Sequence, residues 1–344
     1  MSIHFLLSAK ARTLSSLQVA NMTENEATSL FKYLRWGERD EDMVCPHCGV
    51  MHKPYFIKTR RLWKCAHCRS FFSVTSGTIF AYHKLPLKTY LYVISMYTNS
   101  VKGISSLQMA REITCQHKTA FVLLGKIREA LMNARDDTPL EGDIHMDGAY
   151  ACGSIRPENR KEDRVDRRLA ENQNPGKRCI LVMRQNYTAE EVMRIGAAGA
   201  KRSLTFIIKS ENQKDIGKLA PQYIAKGSVI STDESEAYDK LHAKYKVKRV
   251  NHSVEYRSAD GTTNNQAESF FSRFRRMQVG QIHKVTPKYL GDYANEIAFR
   301  EDSRRWPNGA IFKTIAGNCA HSGVSRDWCG YWQGNHRQDE LMAA

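Results

Sequence analysis

Three carboxylates and two Cys-x-x-Cys pairs are the residues of this chain whose types and spacing could do chemistry. Asp147 follows Ile144 and Met146 in a strand-like run and precedes Gly148; Asp233 follows Val229-Ile230-Ser231-Thr232. Both are therefore predicted at strand ends. Glu268 falls in a helix predicted from Asn265, where Ala267, Phe270, Phe271, Phe274 and Met277 form one apolar stripe and Asn265, Glu268, Ser272 and Arg275 share a flanking face. That face could turn Glu268 toward the strand-end carboxylates while Arg275 or Arg276 reaches a phosphate. Taken alone, the helix reads better as an amphipathic element with its polar side in water. Asp143 shares the strand parity of Asp147 and is its rival, whereas Glu234 and Glu236 read as solvated charges at a helix start.

Oxygen ligands from three separate elements suit magnesium or manganese, hard cations that bind through a few carboxylates plus substrate phosphates. Two such ions about 4 Å apart can serve an in-line displacement at phosphorus without a side-chain nucleophile. No Gly-rich loop ending in Gly-Lys-Ser/Thr is present, so no nucleotide cofactor is expected.

Cys45-Pro-His-Cys48 and Cys65-Ala-His-Cys68 stand sixteen residues apart, the spacing of two knuckles that give four thiolates to one tetrahedral zinc. Four protein ligands leave no open position, so this zinc is structural, and His47 and His67 are expected at the surface. The other five cysteines, Cys115, Cys152, Cys179, Cys319 and Cys329, make no disulfide framework, which fits a reducing compartment.

These residues need elements to position them. A chain of 344 residues suggests more than one folded unit. Thr23, Glu24 and Glu26 resemble a helix start, and Ala27, Leu30, Phe31 and Leu34 recur at helical spacing up to Trp36-Gly37. Helical text runs from Leu87 to Met132 with breaks at Lys102-Gly103 and Thr114-Cys115, and Asp136-Asp137-Thr138-Pro139 reads as a linker. The second break resembles a helix-turn-helix whose second helix starts near Gln116 and offers His117, Lys118 and Thr119 to a DNA groove. The same pair of helices is also common as plain packing. Strands are predicted at 143–150, 179–184, 204–209, 228–232 and 247–250, and helices at 265–277 and 287–299, an α/β or α+β domain with a mixed sheet. Residues 156–177 read as an exposed, charged loop that could touch DNA. The boundaries drawn are an N-terminal helical segment (1–40), a zinc ribbon (41–80), a helical region (81–135), a catalytic domain (140–305) and a weakly patterned tail (306–344).

The formal charge of +16, from 52 Lys and Arg against 36 Asp and Glu, is spread along the chain and favours a polyanionic partner. No stretch approaches the roughly 18 apolar residues of a membrane span, and the N-terminus lacks a secretory core, so a non-exported protein is expected.

The two cysteine pairs followed by Phe71-Phe72-Ser73-Val74-Thr75-Ser76-Gly77-Thr78-Ile79-Phe80 closely resemble the zinc ribbon of ISXO2-like bacterial insertion-sequence transposases. Met146-Asp147-Gly148-Ala149-Tyr150, Ser231-Thr232-Asp233, Val250-Asn251-His252-Ser253 and Asn265-Gln266-Ala267-Glu268-Ser269-Phe270-Phe271 resemble the same family, in its order, from about residue 23 to 305. The resemblance implies a ribonuclease H-like catalytic fold and DDE chemistry: metal-dependent cleavage at transposon ends, then attack of the freed 3′-hydroxyl on target DNA. It places Asp147, Asp233 and Glu268 at the family's acidic positions and Asn265 at a motif position. It also gives His252 a phosphate or carboxylate contact near the site. Where relatives carry Lys on the last catalytic helix this chain has Arg275, which keeps the charge but not the geometry. It further implies double-stranded transposon ends and target DNA as partners, a homo-oligomer on DNA, and a bacterial cytoplasmic, nucleoid-associated setting. The alternatives are a catalytically silent regulator derived from a transposase and a structure-selective nuclease.

Overall fold

The computed structural model describes residues 5–166, 169–196, 198–250 and 263–343. They form two units, one of Met1–Arg135 with Ser303–Arg337, the other of Asp136–Asp302 with Gln338–Ala344.

The first unit begins with α1 (Ser16–Ala20) and α2 (Glu24–Trp36). The start of α2 is fixed by a reciprocal cap: the Glu26 carboxylate accepts from the Thr23 N–H at 2.7 Å while the Thr23 hydroxyl accepts from the Glu26 N–H. Gly37, at φ +82°, stops the helix. A three-stranded antiparallel sheet follows, of β1 (Tyr55–Ile57), β2 (Leu62–Lys64) and β3 (Phe71–Phe72). Phe56, Trp63 and Phe72 align across it in register, and Trp36 of α2 meets Trp63 and Phe72 edge-on at 6.2 and 6.0 Å. Next come α3 (Leu87–Asn99), α4 (Ser106–Glu112) and α5 (His117–Asn133), broken at the two places where the sequence loses its helical period.

The second unit is built on a five-stranded sheet. Strands β4 (Asp143–Ala151), β5 (Arg178–Asn186) and β6 (Ala200–Ile208) run antiparallel in sequence, then β7 (Val229–Thr232) joins β4 in parallel and β8 (Lys246–Arg249) joins β7 in parallel. The spatial order is β6-β5-β4-β7-β8, the mixed α/β sheet expected of a ribonuclease H-like domain. β6 starts four residues before its apolar run because Lys201 and Arg202 hide the pattern. Arg202 reaches into the linker, where it pairs with Asp136 and donates to the Thr138 hydroxyl at 2.6 Å.

Helices α6 (Ala189–Ile195), α7 (Gln213–Tyr223), α8 (Asn265–Met277) and α9 (Pro287–Asp302) complete this unit. Strand alternation feeds two apolar cores. Ile144, Met146, Leu181, Leu204 and Phe206 pack with α7 on one side, while Ile180, Val182 and Ile207 pack with α8 and α9 on the other. The predicted stripe Ala267, Phe270, Phe271, Phe274 and Met277 is the buried face of α8.

Residues 306–344 hold a further helix, α10 (Asn308–His321), which belongs to the first unit and packs on α2, α3 and α5. Its buried Phe312, Ile315, Ala316, Cys319 and Ala320 are diluted by small residues, which blurs the period.

Candidate active site and zinc centre

The four predicted cysteines converge. Their sulfur atoms all lie within 4.8 Å of one another, with Cys45–Cys68 and Cys48–Cys65 each at 3.7 Å. A tetrahedron with zinc–sulfur bonds of about 2.3 Å has edges of about 3.8 Å, so the cluster fits a structural zinc. Matched turns produce it: the Gly49 N–H donates to the Cys45 carbonyl at 2.9 Å and the Arg69 N–H to the Cys65 carbonyl at 3.1 Å, with both donors at positive φ. His52 ties the knuckles together by accepting from the Ala66 N–H at 3.0 Å, a role the sequence did not announce. His47 and His67 are exposed.

In the second unit β4 is the central strand, and its parallel pairing with β7 sets His145 opposite Ser231. Asp147 and Asp233 each lie two residues further on, at the same level: Asp147 stands in the middle of β4 rather than at its predicted end, because pairing with β5 continues to Ala151, and Asp233 is the residue after β7. Asp143 starts β4, about 13 Å away along the strand, and is engaged by Asn186 at 2.6 Å and His145 at 3.6 Å. Glu234 and Glu236 are exposed.

The carboxylates sense one another. Burial pushes the Asp147 carboxyl up to about 7, with the negative charges of Asp233, Glu211 and Glu268 adding to it. Among the described residues no cationic side chain pairs with Asp147, Asp233 or Glu211. A set of oxygen donors with unbalanced negative charge is the chemistry a divalent cation fits. The four cysteines are the one group of three or more ligating side chains within 4.8 Å among the described residues, so the acidic groups stand further apart than the thiols.

The start of α8 is anchored to the strand that carries Asp147. The fully buried Asn264 donates through Nδ2 to the Met146 carbonyl at 3.2 Å. Arg184 of β5, also buried, donates to the Gln266 carbonyl at 2.7 Å and to the Ser203 hydroxyl at 3.0 Å, and lies 3.6 Å from Glu301. Glu268 therefore rides on a helix whose first turn is held at both main chain and side chain. Neither Asn264 nor Arg184 was legible as a site residue, since their partners lie on elements distant in sequence.

Asn265 is the exposed first residue of α8, and Arg275 and Arg276 are exposed in its last turn. His252 lies outside the described residues. In the first unit His117 bonds the Ser106 hydroxyl at 2.8 Å, Lys118 stands over the Trp332 and Tyr331 rings at 4.7 and 5.3 Å, and Thr119 is half-buried. Glu211, which the sequence reading passed over, is a further carboxylate whose charge acts on Asp147. Its signal was available, because it follows the apolar run of β6 as Asp233 follows that of β7.

Residues 139–302 match the family described as ISXO2-like transposase domain, and residues 22–70 match the transposase zinc-ribbon domain. No curated protein matches the chain. The two matched segments carry the four-cysteine cluster and the sheet with its carboxylates, and the chain belongs to the IS1595-family, ISXO2-like transposases with an N-terminal zinc ribbon and a DDE transposase domain.

Proposed function

We propose that this protein is the DNA transposase of an insertion sequence, binding terminal inverted repeats and catalysing metal-dependent strand cleavage and strand transfer. The observation that carries this reading is the level placement of Asp147 on β4 and Asp233 just past the adjoining parallel β7, with the charge of Glu268 felt at Asp147. These three carboxylates would hold magnesium or manganese, two ions in the reading advanced here. When bound, the ions activate the attacking oxygen and stabilise the leaving one. The chain's own contribution is to fix the carboxylates on rigid strands and a pinned helix. Asn265 and His252 are assigned to the same site, and Arg275 and Arg276 to the phosphates of the bound strand, since an exposed guanidinium suits that contact.

DNA contact is assigned to the zinc ribbon (41–80) and to the helical region (81–135) through His117, Lys118 and Thr119, and catalysis to residues 140–305. Joining two transposon ends requires both in one complex, so a homo-oligomer on DNA follows. The test is mobility in cells of a marker flanked by the DNA bordering this gene, with wild-type protein and Asp233→Asn supplied in parallel. Movement with wild type alone is expected. Equal movement with both would reject the carboxylate assignment; movement with neither, while both proteins bind the ends, would favour a silent regulator.

A further inference from the structure

We infer that Glu211 is a fourth carboxylate of the acidic site, adding its charge to the binding of the divalent cations through a gap that Gly148 leaves in β4. This rests on the function proposed above.

The gap is specific. A Cβ built on Gly148 would stand 2.8 Å from both Cδ and Oε1 of Glu211, closer than real Cβ atoms approach anything. The Glu211 carboxylate therefore lies against the β4 backbone at the residue following Asp147, where a side chain at position 148 would make it shift. Its seat is built from β4 and from the helical turn that follows β7. Tyr238, fully buried and five residues after Asp233, donates its hydroxyl to Glu211 Oε1. Tyr150, three residues after Asp147, accepts from the Glu211 N–H at 3.2 Å.

The electrostatics agree with the geometry. Glu211 is raised above the ordinary carboxylate range by burial, with the charge of Asp233 adding to it, while the Tyr238 bond pulls the other way. Elsewhere in this unit carboxylates meet cations: Arg178 pairs with Glu340 at 2.6 Å and Lys201 with Glu191 at 2.9 Å. Glu211, Asp147 and Asp233 have no such partner among the described residues. A phenol that fixes a carboxylate beside two others, with no base to balance them, makes sense as a site that gathers divalent cations.

Glu211 also explains Gly148. The turn of β4 into its last residues has no need of glycine's freedom, since Gly148 is paired as an ordinary strand residue with Leu181. What it supplies is close approach.

The test is manganese binding, read by electron paramagnetic resonance of free Mn²⁺, on zinc-loaded full-length protein freed of magnesium and manganese. Glu211→Gln keeps an acceptor for Tyr238 and removes the charge; Glu211→Asp keeps the charge and loses reach; Asp233→Asn is the reference. Glu211→Gln is expected to weaken Mn²⁺ binding at least tenfold with an unchanged circular dichroism spectrum, and Glu211→Asp to lie nearer wild type than Gln does. Wild-type affinity in Glu211→Gln, with weakened binding in Asp233→Asn, would overturn this inference and leave the proposed function standing. Wild-type affinity in both would overturn both. Gln closer to wild type than Asp would reduce Glu211 to a structural partner of Tyr238, which also overturns it. Should Glu211→Gln fail to fold, Gly148→Ala decides: displacement of the carboxylate is expected to weaken Mn²⁺ binding, and wild-type affinity there would overturn the inference.

Discussion

Asn264 donates its side-chain amide to the main-chain oxygen of Met146 at 3.2 Å, which joins the residue before α8 to the residue before Asp147. One buried hydrogen bond thus couples the helix of the third carboxylate to the strand of the first. Replacing Asn264 with Ala leaves the Met146 carbonyl without that donor in a closed interior, at a cost of about 1–3 kcal/mol. Strand cleavage should fall at least tenfold while end binding holds, and a single-turnover nicking assay beside urea unfolding would separate the two effects. Unchanged cleavage at wild-type stability would show that α8 is placed by its apolar face alone.

Asp302 gives a pH dependence independent of metal. It is half-buried, accepting from the Ser203 N–H at 2.8 Å and the Ser203 hydroxyl at 2.7 Å, and desolvation pushes its carboxyl from the ordinary 3.8 up to about 7. Between those values the folded chain holds a proton that the unfolded chain has lost. Its stabilising contribution is therefore full below about pH 4 and is lost as pH rises past about 7. Urea midpoints from pH 5 to 8 should fall for the wild type relative to Asp302→Asn, and parallel curves would contradict the neutral acid.

Removing one zinc ligand should collapse the ribbon. A structural zinc can supply about 10–16 kcal/mol of folding free energy in small zinc-dependent domains, and the small sheet of Phe56, Trp63 and Phe72 has little other core. Cys65→Ser is expected to carry almost no zinc, to redden the emission of Trp36 and Trp63, and to weaken end binding. One zinc per chain with unchanged fluorescence would refute the four-thiolate assignment.

Gly125 of α5 is a seat for Trp328, whose ring atoms lie 2.3 Å from where a Cβ would stand. Trp328 also meets Phe121 edge-on at 5.3 Å, and the buried Glu129 accepts from the Ser325 hydroxyl at 2.5 Å, so the segment after α10 is fastened along α5. Gly125→Ala should lower stability by about 1–3 kcal/mol through overpacking and open the 325–337 segment to protease. Adding Trp328→Ala should cost less than the sum of the two single changes, and strict additivity would show that the two residues do not share this seat.

What the sequence determined by itself is what near neighbours encode. The zinc ligands were legible because paired thiols at fixed spacing have few other uses, and the α2 cap and the α8 stripe because caps and periods are local. The strand end that presents Asp233 could be read from a short apolar run, whereas Asp147, expected at a strand end, lies mid-strand because the ladder with β5 carries β4 on to Ala151. What only the tertiary structure decided is what depends on chain segments far apart meeting. Pairing β4 with β7 in parallel set the two aspartates level, a register that no local pattern contains. Packing α10 on three helices made an element from residues too mixed to show a period. Glu211 came to lie against Gly148, and Lys118, which the sequence offered to a groove, met the rings of Tyr331 and Trp332. Each of these contacts links residues tens to hundreds of positions apart. Local propensity constrains a residue's neighbours along the chain, whereas burial and register choose its neighbours in space.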